Sequence, residues 1–410
     1  MEEQLSEDEL IGEDVILPSP TTPDSLAAQE PIKEKRLTFE EASKSLSTLG
    51  KDESGVRYAF LMMSPTQKKL TDITIVVNFK HLLFLDLSDN YLNLEALQVV
   101  SKLPYLIFLR AERNRVESVG LERMSYLQVL ILTRNQVQET GDLDQPMLET
   151  LELAHNSIYT PQFVPERLVN LKELGLRGNH LLDTSGTFPS SLEKLFLCNN
   201  GIRKINTDFS KLPNLKQLHL RDNKIRKLSG ITEDLANLSY LNLRGNRITK
   251  VRQFRHLDCL PKLETLIITD NPVYSEKQEE DLEDEEEREE EVYGEDGAQA
   301  VDKVRVPLLV LLPSLKRINK DLVTLDEREA AAAEKKSILK RIFDEDSSDD
   351  ETEVPTTTDF TTDYTAGTEV DLEYVENGGS EEKSDEEEDQ QVKNEGGDEN
   401  ETIVGDKKNQ

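Results

Sequence analysis

The side chains able to do chemistry are few in this chain, and their spacing does not assemble them. Its five histidines are scattered, its two cysteines, Cys198 and Cys259, stand far apart, and neither a glycine-rich phosphate loop nor a Cys-x-x-Cys pair occurs. His219 and Cys198 have no neighbour at triad or metal-ligand spacing, so both are expected to be solvated strand residues. Gly175-x-x-Gly178 reads as strand and turn glycine rather than a phosphate cradle. No catalytic, cofactor-binding or metal site is expected. The chain does offer arginine, whose planar fork bonds both oxygens of a carboxylate at once. Arg110, Arg113, Arg134, Arg177, Arg221 and Arg244, with Lys194 and His219, are the candidates.

A repeat positions them. The spacing Leu-x-x-Leu-x-Leu-x-x-Asn recurs nine times, closing at Asn90, Asn114, Asn135, Asn156, Asn179, Asn200, Asn223, Asn246 and Asn271, at intervals of 21 to 25 residues. In Leu215-x-x-Leu218-x-Leu220-x-x-Asn223 the alternating leucines form a half-buried strand, and the inward asparagine bonds the backbone of the sharp turn that follows. Ala111 and Ile268 stand in for the third leucine in their coils. Pro104, Pro213 and Pro261, just before the next strand, favour short turns or 3₁₀ segments over long convex helices. The expected fold is an α/β solenoid: a short-coil leucine-rich repeat with a curved parallel sheet.

The flanks organise the rest. Residues 1–36 are expected to be a disordered acidic N-terminus and 37–69 an N-terminal cap. The repeats occupy 70–275, an acidic insertion 276–302, a C-terminal cap and helix 303–343, and an acidic tail 344–410. Thr38-x-x-Glu41 and Gly50 bracket one predicted helix, followed by an amphipathic stretch from Val56 to Met63 that covers the open solenoid end. Thr324-x-x-Glu327 opens a second helix, whose Ile338, Leu339, Ile342 and Phe343 are expected to dock on the cap or, alternatively, on a partner helix. Ser347 and Ser348 precede Asp349, Asp350 and Glu351, a context that acid-directed kinases accept. Two cysteines without a capping cluster imply a reducing compartment, and no leader or membrane span is expected.

The formal net charge is −33, but residues 66–275 hold 27 Lys and Arg against 23 Asp and Glu. From Lys194 to Lys262 the asymmetry sharpens to 15 basic against 5 acidic residues. On the concave face the residue after the third leucine is successively Ser88, Glu112, Thr133, Ala154, Arg177, Cys198, Arg221, Arg244 and Thr269. A basic inner face is expected, interrupted by Glu112, Glu152 and Glu173. It suits an acidic protein partner, with the chain's own acidic loop as a tethered competitor. Nucleic acid is disfavoured by the flanking acidity and the lack of a stacking platform.

Leu70-Thr71-Asp72-Ile73, Leu85 to Asn90, Pro213 to Asn223, Tyr240 to Asn246 and the closing Leu312-Pro313-Ser314-Leu315-Lys316-Arg317-Ile318 together resemble one family. It is the leucine-rich repeat-containing protein twenty-three family, of radial-spoke proteins in motile cilia and sperm flagella. The resemblance spans about Leu37 to Lys336. It implies a non-catalytic axonemal component, in cytoplasm, cytoskeleton and cilium or flagellum, that supports the strut linking outer doublets to the central pair. Its implied partners are other radial-spoke proteins, without membrane or small-molecule substrate. The acidic loop and tail depart from the family pattern. Two rival readings remain: a nuclear acidic repeat protein binding histones or a phosphatase, and a regulatory subunit of a phosphatase or axonemal dynein.

Overall fold

The computed structural model describes residues 33–52, 54–206, 211–274 and 304–344. The expectations for residues 1–32, the acidic insertion, Ser347, Ser348 and the acidic tail lie outside them.

One sheet organises the described chain. Its thirteen strands follow one another in sequence order. Nine strands of three residues carry the repeats: β3 Phe84–Asp86, β4 Phe108–Arg110, β5 Val129–Ile131, β6 Thr150–Glu152, β7 Glu173–Gly175, β8 Lys194–Phe196, β9 Gln217–His219, β10 Tyr240–Asn242 and β11 Thr265–Ile267. They pair in parallel without a register shift, so Leu85, Leu109, Leu130, Leu151, Leu174, Leu195, Leu218, Leu241 and Leu266 stack as one layer. All nine are fully buried. Parallel neighbours with equivalent sequences leave no other register that buries every leucine.

The asparagines serve the turns in a repeated way. Asn223 donates from Nδ2 to the carbonyls of Leu197 at 2.9 Å and Leu220 at 3.0 Å, and its Oδ1 accepts from the Ile202 amide at 3.1 Å. Asn90, Asn114, Asn135, Asn156, Asn179, Asn246 and Asn271 are buried in the same role, and Asn200 is less enclosed. The residue before each is left-handed: Asp89, Arg113, Arg134, His155, Gly178, Asn199, Asp222, Gly245 and Asp270 all have φ between 48° and 66°. That conformation reverses the chain at the end of every strand. It favours glycine, asparagine and aspartate, which fill six of the nine positions.

The solenoid ends differ from expectation at one place. Helix α1, Phe39–Lys44, has its capping box at Thr38 and Glu41, but it stops six residues short of Gly50. Leu46–Lys51 is instead strand β1, antiparallel to β2, Tyr58–Met63. Strand β2 then pairs in parallel with β3 and covers the first coil's edge. The apolar spacing of Phe39, Ala42, Leu46 and Leu49 suits a helix, yet Thr48 has φ 55°, which no helix tolerates. Satisfying the bare amides of β3 outweighs the local helical preference.

After the short helix α2, Leu94–Leu97, in the first coil, the next helix lies at the other end: α3 spans Arg305–Leu311, and β12, Arg317–Ile318, extends the parallel sheet. Strand β13, Asp321–Leu322, turns back on β12, and helix α4 runs over Leu325–Asp344. Asn319 Oδ1 accepts from the Ile268 amide at 2.9 Å, taking the place of a strand carbonyl where β12 ends. Ile338 and Ile342 are buried in the core against the cap, with Leu339 partly buried beside them. Docking on the cap is thus the observed arrangement; the Phe343 side chain lies outside the description.

Candidate functional site

Strand periodicity leaves one sheet face free of the core, and the candidate cations lie along it. In each coil three positions project there: the residues before, between and after the two strand leucines. Arg110 holds a middle position, Lys194 a first position, and Arg177, Arg221 and Arg244 third positions. Arg113 and Arg134 belong to the left-handed turn residues at the rim. The repeat therefore does gather them on one side, spread over β4 to β10 rather than in one cluster.

Most of their charge is already answered. Arg110 meets Glu112 at 2.6 Å, Arg113 bonds both oxygens of Asp89 with one contact at 2.8 Å, and Lys194 approaches Glu173 at 3.8 Å. Arg221 meets Asp222 at 2.9 Å and Arg244 meets Asp270 at 2.6 Å. The hydrogen bond to Arg113 holds the Asp89 carboxyl below its ordinary range and raises the guanidinium in turn. A basic inner face was the expectation; the turn aspartates and strand glutamates convert it into a mosaic of pairs. The acids sit one or two residues away or one coil away, so a count along the sequence misses the pairing.

His219 departs from the solvated residue that its spacing implies. Its ring lies 4.5 Å from Phe196 and 4.9 Å from Tyr240 between centroids, a stack running across β8, β9 and β10. Cys198 beside it is mostly enclosed, with Sγ 3.7 Å from the His219 carbonyl, and burial pushes its thiol up. A thiol so raised is a poor nucleophile. Burial likewise pushes up Cys259 on the return side. Among the described residues no group of three His, Cys, Asp or Glu is placed to hold a metal. No described helix is long and apolar enough to cross a membrane.

Glu152 sits at the centre of the face under different conditions. Its carboxylate leans over Gly175, the partner residue in β7, and a Cβ there would lie 1.8 Å from Oε2. Burial, then Glu173 and Glu112, pushes its pKa up to about 7. Gly175 thus makes room for a carboxylate that the spacing alone marks only as an interruption.

The early strands contribute a feature that the third-position residues do not reveal. Met62, Phe84, Phe108 and Val129 stand opposite one another in register across β2 to β5. The Phe84 and Phe108 rings are 6.2 Å apart, and Phe60 and Phe84 are 48% and 38% exposed. Side chains this apolar on an open sheet mark a contact surface. The signal was available one position before the first strand leucine of each coil. The face therefore carries an apolar row over β2 to β5 beside the Arg110–Glu112 pair, is carboxylate-centred at β6 and β7, and is aromatic with paired arginines over β8 to β10.

Comparison with known proteins agrees with this architecture. The leucine rich repeat family model matches residues 169–225 and 190–248. Human leucine-rich repeat-containing protein 23 is 33% identical over 296 residues, covering 72% of this chain and 78% of that protein. The Bos taurus protein of the same name is 32% identical over 237 residues, covering 58% of this chain and 68% of its own. A solved structure, the functional domain of InlJ from Listeria monocytogenes, overlays 52% of this chain and 45% of its own at TM-score 0.39 and 20% identity, too partial to add to the assignment. Leucine-rich repeat sheets generally mediate protein–protein binding, and with nine coils in register and one third of residues shared over most of both chains, this chain belongs to the leucine-rich repeat-containing protein 23 family.

Proposed function

We propose that this protein is a non-catalytic scaffold of the ciliary axoneme, a radial-spoke component that supports spoke assembly or stability, and with it motility, by holding neighbouring proteins. The observation that carries the binding role is the continuous open face of the sheet. It presents an apolar row at one end and arginines near aromatic rings at the other, a composition suited to protein interfaces. Family membership supports the axonemal setting, and spoke proteins are the proposed partners.

Tagged protein expressed in ciliated cells should localise along the axoneme and resist detergent extraction, leaving only with salt. Release by detergent alone, or a nuclear signal, overturns the reading. The inner face is tested by reversing Arg177, Arg221 and Arg244 together to Glu. Folding should be retained and incorporation into spokes weakened; normal incorporation would show that these arginines hold nothing.

A further inference from the structure

The basic excess between Lys194 and Lys262 is carried mostly off the inner face. Of the twelve cations off that face, six fall on the edge of the coils, where the chain leaves the ladder asparagine. One residue after that asparagine stand Lys224 and Arg247; three residues after it, Arg203 and Arg226; four after it, Lys204 and Lys227. All six are exposed.

Coil stacking aligns them. The Arg203 amide donates to Leu182 O at 2.9 Å, Lys224 to Ile202 O at 2.8 Å and Arg247 to Ile225 O at 2.9 Å, each reaching the equivalent segment one coil earlier. The Lys204 backbone pairs in parallel with that of Asp183, its counterpart in the preceding coil. Equivalent positions in paired strands are about 4.8 Å apart, so these cations form a short, dense strip along the solenoid edge. On the inner face Arg221 and Arg244 have carboxylate partners. Among the described residues no ion pair engages Arg203, Lys224, Arg226 or Arg247. Like charges held this close raise the local potential and attract an anionic chain.

We propose that this edge is a second binding surface, distinct from the inner face, that takes an extended Asp- and Glu-rich segment of a partner protein. Arginine and lysine without interleaved aromatics suit carboxylates and offer no base-stacking platform. The chain's net charge of −33 also opposes a long phosphate polymer more than a short acidic peptide. Binding by such a strip is salt-sensitive, because exposed charges are screened over about 8 Å at physiological ionic strength.

The test is fluorescence anisotropy of a labelled peptide of alternating Glu and Asp, about 15 residues long, titrated with the full chain at low and physiological salt. Replacing Arg203, Arg226 and Arg247 together with Glu should weaken binding at least tenfold, and the Gln version should weaken it less. A control Glu triple at Lys102, Arg123 and Arg167, exposed on earlier coils away from both the inner face and this edge, should stay within about twofold of the native chain. Circular dichroism checks that each variant is folded, and the Gln version serves if the Glu version is not. Three results overturn the proposal: unchanged affinity in both edge variants, equal competition by single-stranded RNA of matched length, or peptide binding only after the acids between 276 and 302 are neutralised. The last would mean that the chain fills the edge itself. Failure of the axonemal reading would leave this test unaffected.

Discussion

At the scale of single residues the ladder asparagine and Glu152 illustrate opposite treatments of a polar group shielded from water. Asn223 is fully engaged, with donors on two buried carbonyls and its acceptor on the Ile202 amide. Asn223→Ala leaves those groups without partners, and each unsatisfied buried group costs about 1–3 kcal/mol. Urea unfolding should show a loss of that order for the variant, and an unchanged midpoint would contradict the ladder's role. Glu152 is penalised instead. Its carboxyl ionises in the unfolded chain near 4.5 and in the folded protein only at about 7. Since the folded-state value is raised, the neutral acid stabilises the fold at low pH, and that contribution is lost as pH climbs from 4.5 to 7. Glu152→Gln should therefore stabilise the protein by about 1–3 kcal/mol at pH 8 and by little at pH 4.5. Equal effects at both pH values in parallel urea titrations would refute the assignment.

Elements explain why the solenoid is closed at both ends. At the start, β1 and β2 form a hairpin whose second strand supplies the partner that β3 would otherwise lack. At the finish, Arg305 on α3 is only 8% exposed and ties three elements together. It pairs with Glu327 on α4 and donates to the carbonyls of Ile318 at 3.0 Å and Leu322 at 3.2 Å. The hydrogen bond from Arg305 holds Glu327 below the ordinary carboxylate range, and Glu327 also completes the capping box with Thr324. One arginine thus joins the last strands to the final helix. Glu327 keeps partial access to water, so Arg305→Ala mainly loses the charged hydrogen bonds that tie the cap, at a cost of about 2–3 kcal/mol. Hydrogen exchange should show the loss first in α4, whose Ile338 and Ile342 depend on that docking. Uniform exchange throughout the chain would argue against a cap-specific role.

At the scale of the whole molecule, charge and apolar surface are separated along the sheet. Residues 66–193 hold 12 basic and 16 acidic residues, the counts left when the 15 and 5 of 194–262 and the 2 acids beyond are taken from 27 and 23. Phe84, Phe108 and Val129 of the apolar row lie in the first of these regions, and the exposed basic edge in the second. Partner contacts at the two ends should then respond differently to salt. Replacing Phe84 and Phe108 together with Ser should weaken an inner-face contact equally at 50 and 300 mM salt, about tenfold for two aromatic anchors. Pull-down of axonemal proteins at both ionic strengths measures this. A defect that vanishes at high salt would assign the contact to charge.

Much of this architecture is legible in the sequence. The nine asparagines, the alternating leucines, the capping boxes at Thr38 and Thr324 and the family resemblance all rest on local spacing. A repeat makes tertiary neighbours out of equivalent sequence positions. The hairpin at Leu46 was not legible, because β1 is a strand only through its pairing with β2, and β2 is held in turn by β3 of the first coil. The pairing of Arg244 with Asp270, the stacking of His219 between Phe196 and Tyr240 and the carboxylate of Glu152 over Gly175 were hidden for the same reason. Each depends on side chains more than twenty residues apart meeting at one strand spacing. Sequence alone thus determined the solenoid and the face it leaves open. Only the tertiary structure decided which charges on that face cancel and which remain at the edge, because the strength of a charge is set by its nearest neighbours in space.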